Sequence, residues 1–227
     1  MTAKFTHKAL IVLVSCTFAL SLAAKEKLPE TTKDGLVLRQ HTELGAVYVK
    51  PGASLTDYTK VKILDCYVAF EKNWQRNYND EQMGLGSRVT DQDAQKIKTE
   101  VAQGFQDVFT SELDKAGFTV VDTTGADVLL IRPAIINLVV TAPDVMTPGI
   151  SATIVSSGGS MTLYAELYDS LTSTKIAEVL DSEEIGQNGL NYVANEVTNR
   201  AAFDETLRAW AEILVKRLDE AHGKLSK

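Results

Sequence analysis

The side chains best suited to metal binding and nucleophilic catalysis are scarce in this sequence. Its 227 residues include three histidines and two cysteines. His41 and His222 lie in polar segments near the two ends of the chain, and neither has a further ligand at a spacing typical of zinc sites. Cys66 lies in a run typical of a strand, where a thiol usually serves as a small hydrophobic side chain. We therefore predict no metal ion and no cofactor.

Acidic residues offer another route to enzyme chemistry, because a pair of carboxylates can act as general acid and general base. Exposed acids are the rule on protein surfaces, however, and the sequence does not indicate that any two converge. The chain has no Gly-x-Ser-x-Gly or His-Glu-x-x-His motif. We predict that the protein is not an enzyme. A carboxylate-dependent hydrolase is the third hypothesis, with Asp80, Glu81, Asp91, Asp93, Glu183 and Glu184 as its candidate acids.

The first 23 residues have the layout of a secretory signal peptide. Lys4 and Lys8 precede an apolar run of about 12 to 16 residues, which is shorter than the roughly 20 residues of a membrane-spanning helix. Small residues near Ala23 provide a cleavage site, and the chain then turns polar. We predict a periplasmic protein. The alternative is an outer-membrane lipoprotein, because residues 13–16 have the form of a lipobox ending at Cys16.

Charge and cysteine content limit the partners. The formal net charge is -7, which argues against nucleic acid and against an anionic membrane surface. A membrane becomes a partner only if Cys16 is lipidated. Removal of the signal peptide would leave Cys66 alone, so no internal disulfide is expected.

The hydrophobic pattern predicts an α+β domain over 46–221, preceded by a loosely attached polar lead-in over 24–45 and followed by a tail over 222–227. Strands are expected at 46–50, 61–70, 118–122 and 127–140, with a hairpin of 161–168 and 175–185. Amphipathic helices are expected from Thr90 to Gly117 and over 196–221. This order favours a two-layer sandwich, in which two long helices pack on one face of a mostly antiparallel sheet.

Two long segments between these elements are candidate contact surfaces. Segment 71–89 is polar with aromatic residues and arginine, and segment 141–159 has apolar residues among prolines and glycines. Such segments are uncommon unless they are functional or disordered, and aromatic residues and arginine are enriched at interfaces. We predict contact with another envelope protein. The side chains could instead fold back over the core or cover a pocket for a small molecule or lipid. The candidate contact residues are Trp74, Arg76, Tyr78, Val145, Met146 and Ile150.

The predicted strand directions separate these two segments. Strands 61–70 and 118–122 should be parallel across the first long helix. The turn at 123–126 has only four residues, so strand 127–140 should return antiparallel. Segments 71–89 and 141–159 would then lie at opposite ends of the sheet and could not form one pocket.

Several runs of the sequence resemble a bacterial envelope family catalogued as domain of unknown function 3313. The resemblance extends from about residue 35 to residue 219 and implies export, often as a lipoprotein. It implies no activity and no catalytic residues, because none is assigned to the family. The runs that carry it are GLV at 35–37, AVYVKPGA at 46–53, VAFEKNW at 68–74, VVTAPDVM at 139–146, MTLYAELYDS at 161–170, and NRA at 199–201 with Trp210.

Overall fold

The computed structural model describes residues 28–224, apart from 83–87, 142, 144–152, 156–157, 187–191 and 195. The predicted signal peptide and Cys16 therefore lie outside the described residues. The helices are α1 (Trp74–Glu81), α2 (Asp91–Lys115) and α3 (Glu196–Ala221). The strands are β1 (Val37–Leu38), β2 (Ala46–Val49), β3 (Lys60–Ile63), β4 (Tyr67–Phe70), β5 (Thr119–Val120), β6 (Val128–Val140), β7 (Thr153–Val155), β8 (Gly159–Asp169), β9 (Lys175–Ile185) and β10 (Tyr192–Ala194).

Helix α2 begins and ends as its sequence predicts. The Thr90 hydroxyl accepts a hydrogen bond from the Asp93 amide at 3.2 Å, and the Asp93 carboxylate accepts one from the Thr90 amide at 2.9 Å. This capping box satisfies two amides that no helical carbonyl can reach. At the other end, Gly117 has a φ of 84°, a left-handed conformation that glycine adopts without steric cost. The range of α3 also agrees with the prediction.

The two long helices and the sheet share one hydrophobic core. Phe105 and Leu113 of α2 and Leu207 and Leu218 of α3 are completely buried in it, together with Ile135 of β6. Each of these positions belongs to an apolar stripe or to the inward side of a strand, so burial follows from the periodicity of the sequence. The structure thus confirms the α+β class.

Eight strands form one mixed sheet in the order β1-β2-β9-β8-β6-β3-β5, and β4 pairs with β6. Strands β8 and β9 form the predicted antiparallel hairpin. Strands β7 and β10 form a separate antiparallel pair. The sheet is less antiparallel than predicted, because β3 pairs in parallel with β5 and β6, and β4 pairs in parallel with β6. The predicted strand at 61–70 is divided into β3 and β4.

The predicted direction of strand 127–140 is wrong. Strand β6 is parallel to β3, with Val128 opposite Lys60, and Thr119 of β5 lies opposite the same residue from the other side. Strand β5 therefore ends almost level with the start of β6. The chain between them needs to move sideways by only two strand spacings, about 10 Å, rather than along the sheet. A short connection therefore suffices for a parallel strand.

Segments 71–89 and 141–159 consequently leave the same end of the sheet, not opposite ends as predicted. Phe70 at the end of β4 lies opposite Leu138 near the end of β6. The Trp74 indole N–H donates a hydrogen bond to the Val140 carbonyl at 3.2 Å, which joins the start of one segment to the start of the other. The first segment also contains α1, where the sequence predicted a loop.

The described part of the lead-in is attached more closely than predicted. Strand β1 extends the edge of the sheet by pairing with β2. Leu36 is buried against Ala46 and Tyr48, which lie on β2. The polar composition of this segment concealed the apolar Leu36, and its burial together with the pairing of β1 and β2 attaches the segment to the sheet.

Candidate functional site

The predicted contact residue Trp74 is a structural residue. Its indole is buried and stacks on the Phe70 ring, with a centroid separation of 4.1 Å. The same indole lies 6.1 Å from the half-buried ring of Tyr78, and burial raises the pKa of the Tyr78 phenol. For Trp74, the structure therefore agrees with the alternative that these side chains fold back over the core.

The other candidate contact residues differ in what the structure describes. Arg76 is exposed on α1 and is available for contact. Val145, Met146 and Ile150 lie outside the described residues. A contact role for Arg76 and for this part of segment 141–159 stays a prediction.

A different feature of the described structure has the properties of a binding site. A cavity of about 460 Å³ lies between the sheet and α3, and we name it the apolar cleft. Its volume falls within the range of about 300–1,000 Å³ that is usual for ligand pockets. Aliphatic and aromatic side chains line most of it, and the polar lining side chains lie mainly on residues 39–43 and on Arg217.

The floor of the apolar cleft consists of small side chains on three neighbouring strands. Ala165 of β8 lies opposite Val179 of β9, which lies opposite Val47 of β2. On β8, the larger Leu163 and Leu167 flank Ala165 on the same face, because side chains two residues apart point the same way. The next position on the floor of β9 is Ala177. Short side chains between longer ones leave a trough across the strands.

Helices α2 and α3 cover this floor. Phe105 and Phe109 of α2 stack on each other at 4.0 Å and form one wall. Trp210 of α3 lies over the floor, and its indole N–H donates to the Asp181 carboxylate at 2.7 Å. The other oxygen of Asp181 accepts a hydrogen bond from the Gly45 amide, also at 2.7 Å. This buried carboxylate therefore fixes α3 to β9 and to the start of β2.

The mouth of the apolar cleft is charged. We define its rim as Arg39, Gln40, His41 and Glu43 together with Arg217. Glu43 binds Lys216 at 2.5 Å and Arg217 at 3.1 Å, so an ion-pair cluster joins the lead-in to α3. The hydrogen bond from Lys216 and the nearby positive charges lower the pKa of Glu43. Arg39 and His41 are exposed beside this cluster.

A second charged cluster lies on the opposite side of β8. Glu166 is buried and contacts Lys175 at 2.6 Å and Arg132 at 2.5 Å. Burial raises the pKa of Glu166, but hydrogen bonds from Lys175, Tyr164 and Tyr168 outweigh it and lower the pKa overall. Its contribution to stability is therefore complete above the ordinary carboxyl pKa and is lost as the pH falls through the lowered value. The cluster pairs β6, β8 and β9 across their outer face.

The candidate acids of the hydrolase hypothesis have other environments. Asp93 is occupied by the capping box, and hydrogen bonds from Thr90 lower its pKa. Asp80, Glu81 and Asp91 are exposed, as are Glu183 and Glu184 on β9. Burial and the charge of Asp181 raise the pKa of Glu183.

Within the part of the chain that the structure describes, no group of three His, Cys, Asp or Glu side chains could hold a metal ion. The helices described between residues 28 and 224 include none that is long and apolar enough to cross a membrane. Cys66 lies between β3 and β4 and packs against the main core, and burial raises the pKa of its thiol to about 12.

The apolar cleft was not predicted from the sequence, although Trp210 lies on an apolar helical stripe. One signal was present: alanine alternates with leucine on the inward positions of β8, and Ala177 follows on β9. Such residues could equally have packed under a closer helix. Only the strand register and the cavity between the sheet and α3 show that space remains above them.

The fold defines an α+β protein, with three described helices and an eight-stranded mixed sheet. The chain belongs to the family described as "Protein of unknown function (DUF3313)", which matches residues 31–214. This match confirms the resemblance seen in the sequence. No curated protein matches the chain.

Three solved structures are similar to this chain at low identity. A PelC dodecamer from Paraburkholderia phytofirmans is 9% identical, with 74% of this chain and 95% of that chain covered and a TM-score of 0.38. A minor lipoprotein from Acinetobacter baumannii is 8% identical, with coverages of 75% and 98% and a TM-score of 0.34. A DUF4136 family protein from Bacteroides thetaiotaomicron is 10% identical, with coverages of 74% and 95% and a TM-score of 0.34. These similarities are too weak to support a conclusion about ligand, partner or assembly.

Proposed function

We propose that this protein is a non-enzymatic binding module of the bacterial envelope, and that it holds an apolar ligand in the apolar cleft. The sheet and the two long helices serve as a two-layer scaffold for that site. Export to the periplasm is supported by the N-terminal sequence, with its short basic and apolar regions followed by small residues. The absence of recognisable catalytic motifs from the sequence favours binding over catalysis.

The observation that carries the proposal is the size and lining of the apolar cleft. A closed and empty cavity of 460 Å³ would cost roughly 11 kcal/mol at about 24 cal/mol per Å³. That cost is comparable with the whole stability of a typical domain, about 5–15 kcal/mol. Access to water at the rim reduces this free-energy cost. An apolar ligand would reduce it further by contacting the exposed lining.

Titration with N-phenyl-1-naphthylamine, an uncharged apolar fluorophore, tests the proposal. We expect saturable binding with enhanced fluorescence, and we expect Ala177→Leu to abolish it because the larger side chain occupies the floor of the cleft. Ala134→Leu is the matched control, since Ala134 lies opposite Tyr164 on the other face of the sheet. Equal binding by both variants, or no binding by the unmodified protein, would overturn the proposal.

Native mass spectrometry of the protein purified from its own host supplies a second test. A co-purified ligand that is present in Ala134→Leu and absent from Ala177→Leu would support occupancy of the apolar cleft. The intact mass from the same sample also tests localisation. A chain beginning at Ala24 is expected for a periplasmic protein, whereas an acylated Cys16 would make it an outer-membrane lipoprotein.

A second function, contact with another envelope protein, is favoured by the joint position of segments 71–89 and 141–159. Both start at one end of the sheet and are linked there by the hydrogen bond from Trp74 to Val140. Exposed Arg76 would lie on that surface. Affinity capture from native envelope extract, with Arg76→Glu compared with the unmodified protein, tests this role. An unchanged set of captured partners would count against a contact through Arg76.

A further inference from the structure

We infer that the occupant of the apolar cleft is a single-chain anionic amphiphile, with its hydrocarbon chain over the floor and its negative head at Arg39 and Arg217. This inference rests on the proposed function, because it requires the cleft to be a binding site. It adds the chemical class of the ligand and the direction in which the ligand lies.

The shape of the floor favours one hydrocarbon chain. At the level of Ala165 the floor crosses β8, β9 and β2, and two spacings between neighbouring strands give a length of roughly 10 Å. Along β8, Leu163 and Leu167 stand four residues apart on either side of Ala165, which leaves a trough of roughly 13 Å between their backbone positions and much less between their side chains. The two leucines thus border the trough on β8, and an extended hydrocarbon chain that lies between them across the strands would contact Ala165, Val179 and Val47.

The length of the trough also sets a chain length. Carbon–carbon bonds of about 1.5 Å advance an extended chain by roughly 1.3 Å per carbon. A floor of roughly 10 Å then accommodates about eight carbons. Each methylene up to that length should tighten binding by about fourfold, and further methylenes should add little.

The charge at the mouth favours a negative head. Arg39 and Arg217 bring two positive charges to the rim, and Glu43 brings one negative charge. Beside the rim, Lys216 pairs with Glu43 and Glu220 pairs with Arg217, so these two further charges cancel. The mouth thus has a positive excess on a protein whose net charge is -7. Among the described residues Arg39 has no ion-pair partner, so its guanidinium can bind a carboxylate or phosphate through two parallel hydrogen bonds.

The experiment compares three probes that share a twelve-carbon chain, each below its micellar concentration, by isothermal titration calorimetry. We expect dodecanoate to bind at least tenfold more tightly than dodecyltrimethylammonium, with dodecanol between them. Arg39→Gln should reduce the ratio of the dodecanoate affinity to the dodecanol affinity by about two- to fivefold, which is the range for one exposed charge pair. Lys72→Gln removes an exposed charge from the segment after β4 and should not change that ratio of affinities.

The outcomes separate the two proposals. Equal affinity for all three probes, blocked by Ala177→Leu, would overturn the anionic head while leaving the apolar cleft as a binding site. No binding of these probes or of N-phenyl-1-naphthylamine would overturn both. Lysophosphatidylglycerol and lysophosphatidylcholine then distinguish the source of the charge. Tighter binding of lysophosphatidylglycerol than of lysophosphatidylcholine or dodecanoate indicates an anionic phospholipid head. Tightest binding of dodecanoate indicates a free carboxylate.

Discussion

Replacement of Ala177 by leucine should stabilise the ligand-free protein. This alanine is buried on β9 and lines the apolar cleft, so a larger side chain at this position points into the cleft. The same substitution is expected to abolish ligand binding. A variant that is more stable and yet does not bind is hard to explain by misfolding, so the two measurements together test whether the space is real.

The magnitude follows from the area removed from water. Leucine adds three carbons to alanine, and at about 0.8 kcal/mol per methylene their burial contributes roughly 2.4 kcal/mol. Ordering the longer side chain costs about 0.5–1 kcal/mol. The free energy of unfolding should therefore rise by about 1.5 kcal/mol. In a fully packed core the same change would instead lower it by about 1–3 kcal/mol, so the sign distinguishes the two situations.

Urea unfolding, followed by the fluorescence of Trp210 in a Trp74→Phe background, measures this difference. Each protein is first unfolded and refolded, because a bound ligand would stabilise the reference by mass action. Ala134→Leu, on the other face of the sheet, is the control and should stay within about 0.5 kcal/mol of the reference. A destabilised Ala177→Leu with an unaffected control would refute the reasoning, since it would show that the floor is already covered.

Three further predictions concern the framework. Lys175→Met should lower the free energy of unfolding by about 3 kcal/mol at pH 7, because it leaves the buried Glu166 short of a partner. In urea titrations this loss should shrink as the pH falls toward 4, because removal of Lys175 raises the pKa of Glu166 and the carboxyl of the variant is protonated before that of the native protein. Lys175→Arg should restore most of the stability. Gly159→Ala should cost more than about 3 kcal/mol, because its φ of 129° is one that L residues rarely adopt and because a Cβ would collide with a backbone carbonyl of β6. Gly35→Ala meets open space at a φ of 77° and should cost about 1 kcal/mol by the same assay. Cys66 should react with dithiobis-nitrobenzoate about a thousandfold more slowly in the folded protein than in urea at pH 8, because burial raises its pKa to about 12; similar rates would mean that the thiol is exposed.

Local signals predicted much of the framework. The capping box of Thr90 and Asp93 identified the start of α2, and the alternating pattern identified the hairpin of β8 and β9. These features depend on residues close together in sequence. The direction of β6 depends instead on where β5 ends relative to Lys60, which is set by pairing between distant segments. A turn length alone could not determine it.

The apolar cleft was unpredictable for a related reason, because it depends on the separation between two elements. Ala165 is equally compatible with a helix packed closely above it and with an open trough. The sequence carried candidate contact residues in segment 71–89, but Trp74 turned out to pack against Phe70. Aromatic residues in a polar segment signal either a contact surface or a local core, and only the backbone geometry distinguishes them.

Two polar anchors on the C-terminal half of α3 explain why the cleft does not close. Near the middle of the helix, the buried Asp181 carboxylate holds the Trp210 indole at 2.7 Å. About two turns further along, Glu43 holds Lys216 and Arg217. A closer approach of α3 to the floor would gain apolar contacts but would distort these polar anchors. An unpaired buried carboxylate costs more free energy than a few additional methylene contacts contribute. The separation of helix and sheet is therefore maintained, and the space is left for a ligand.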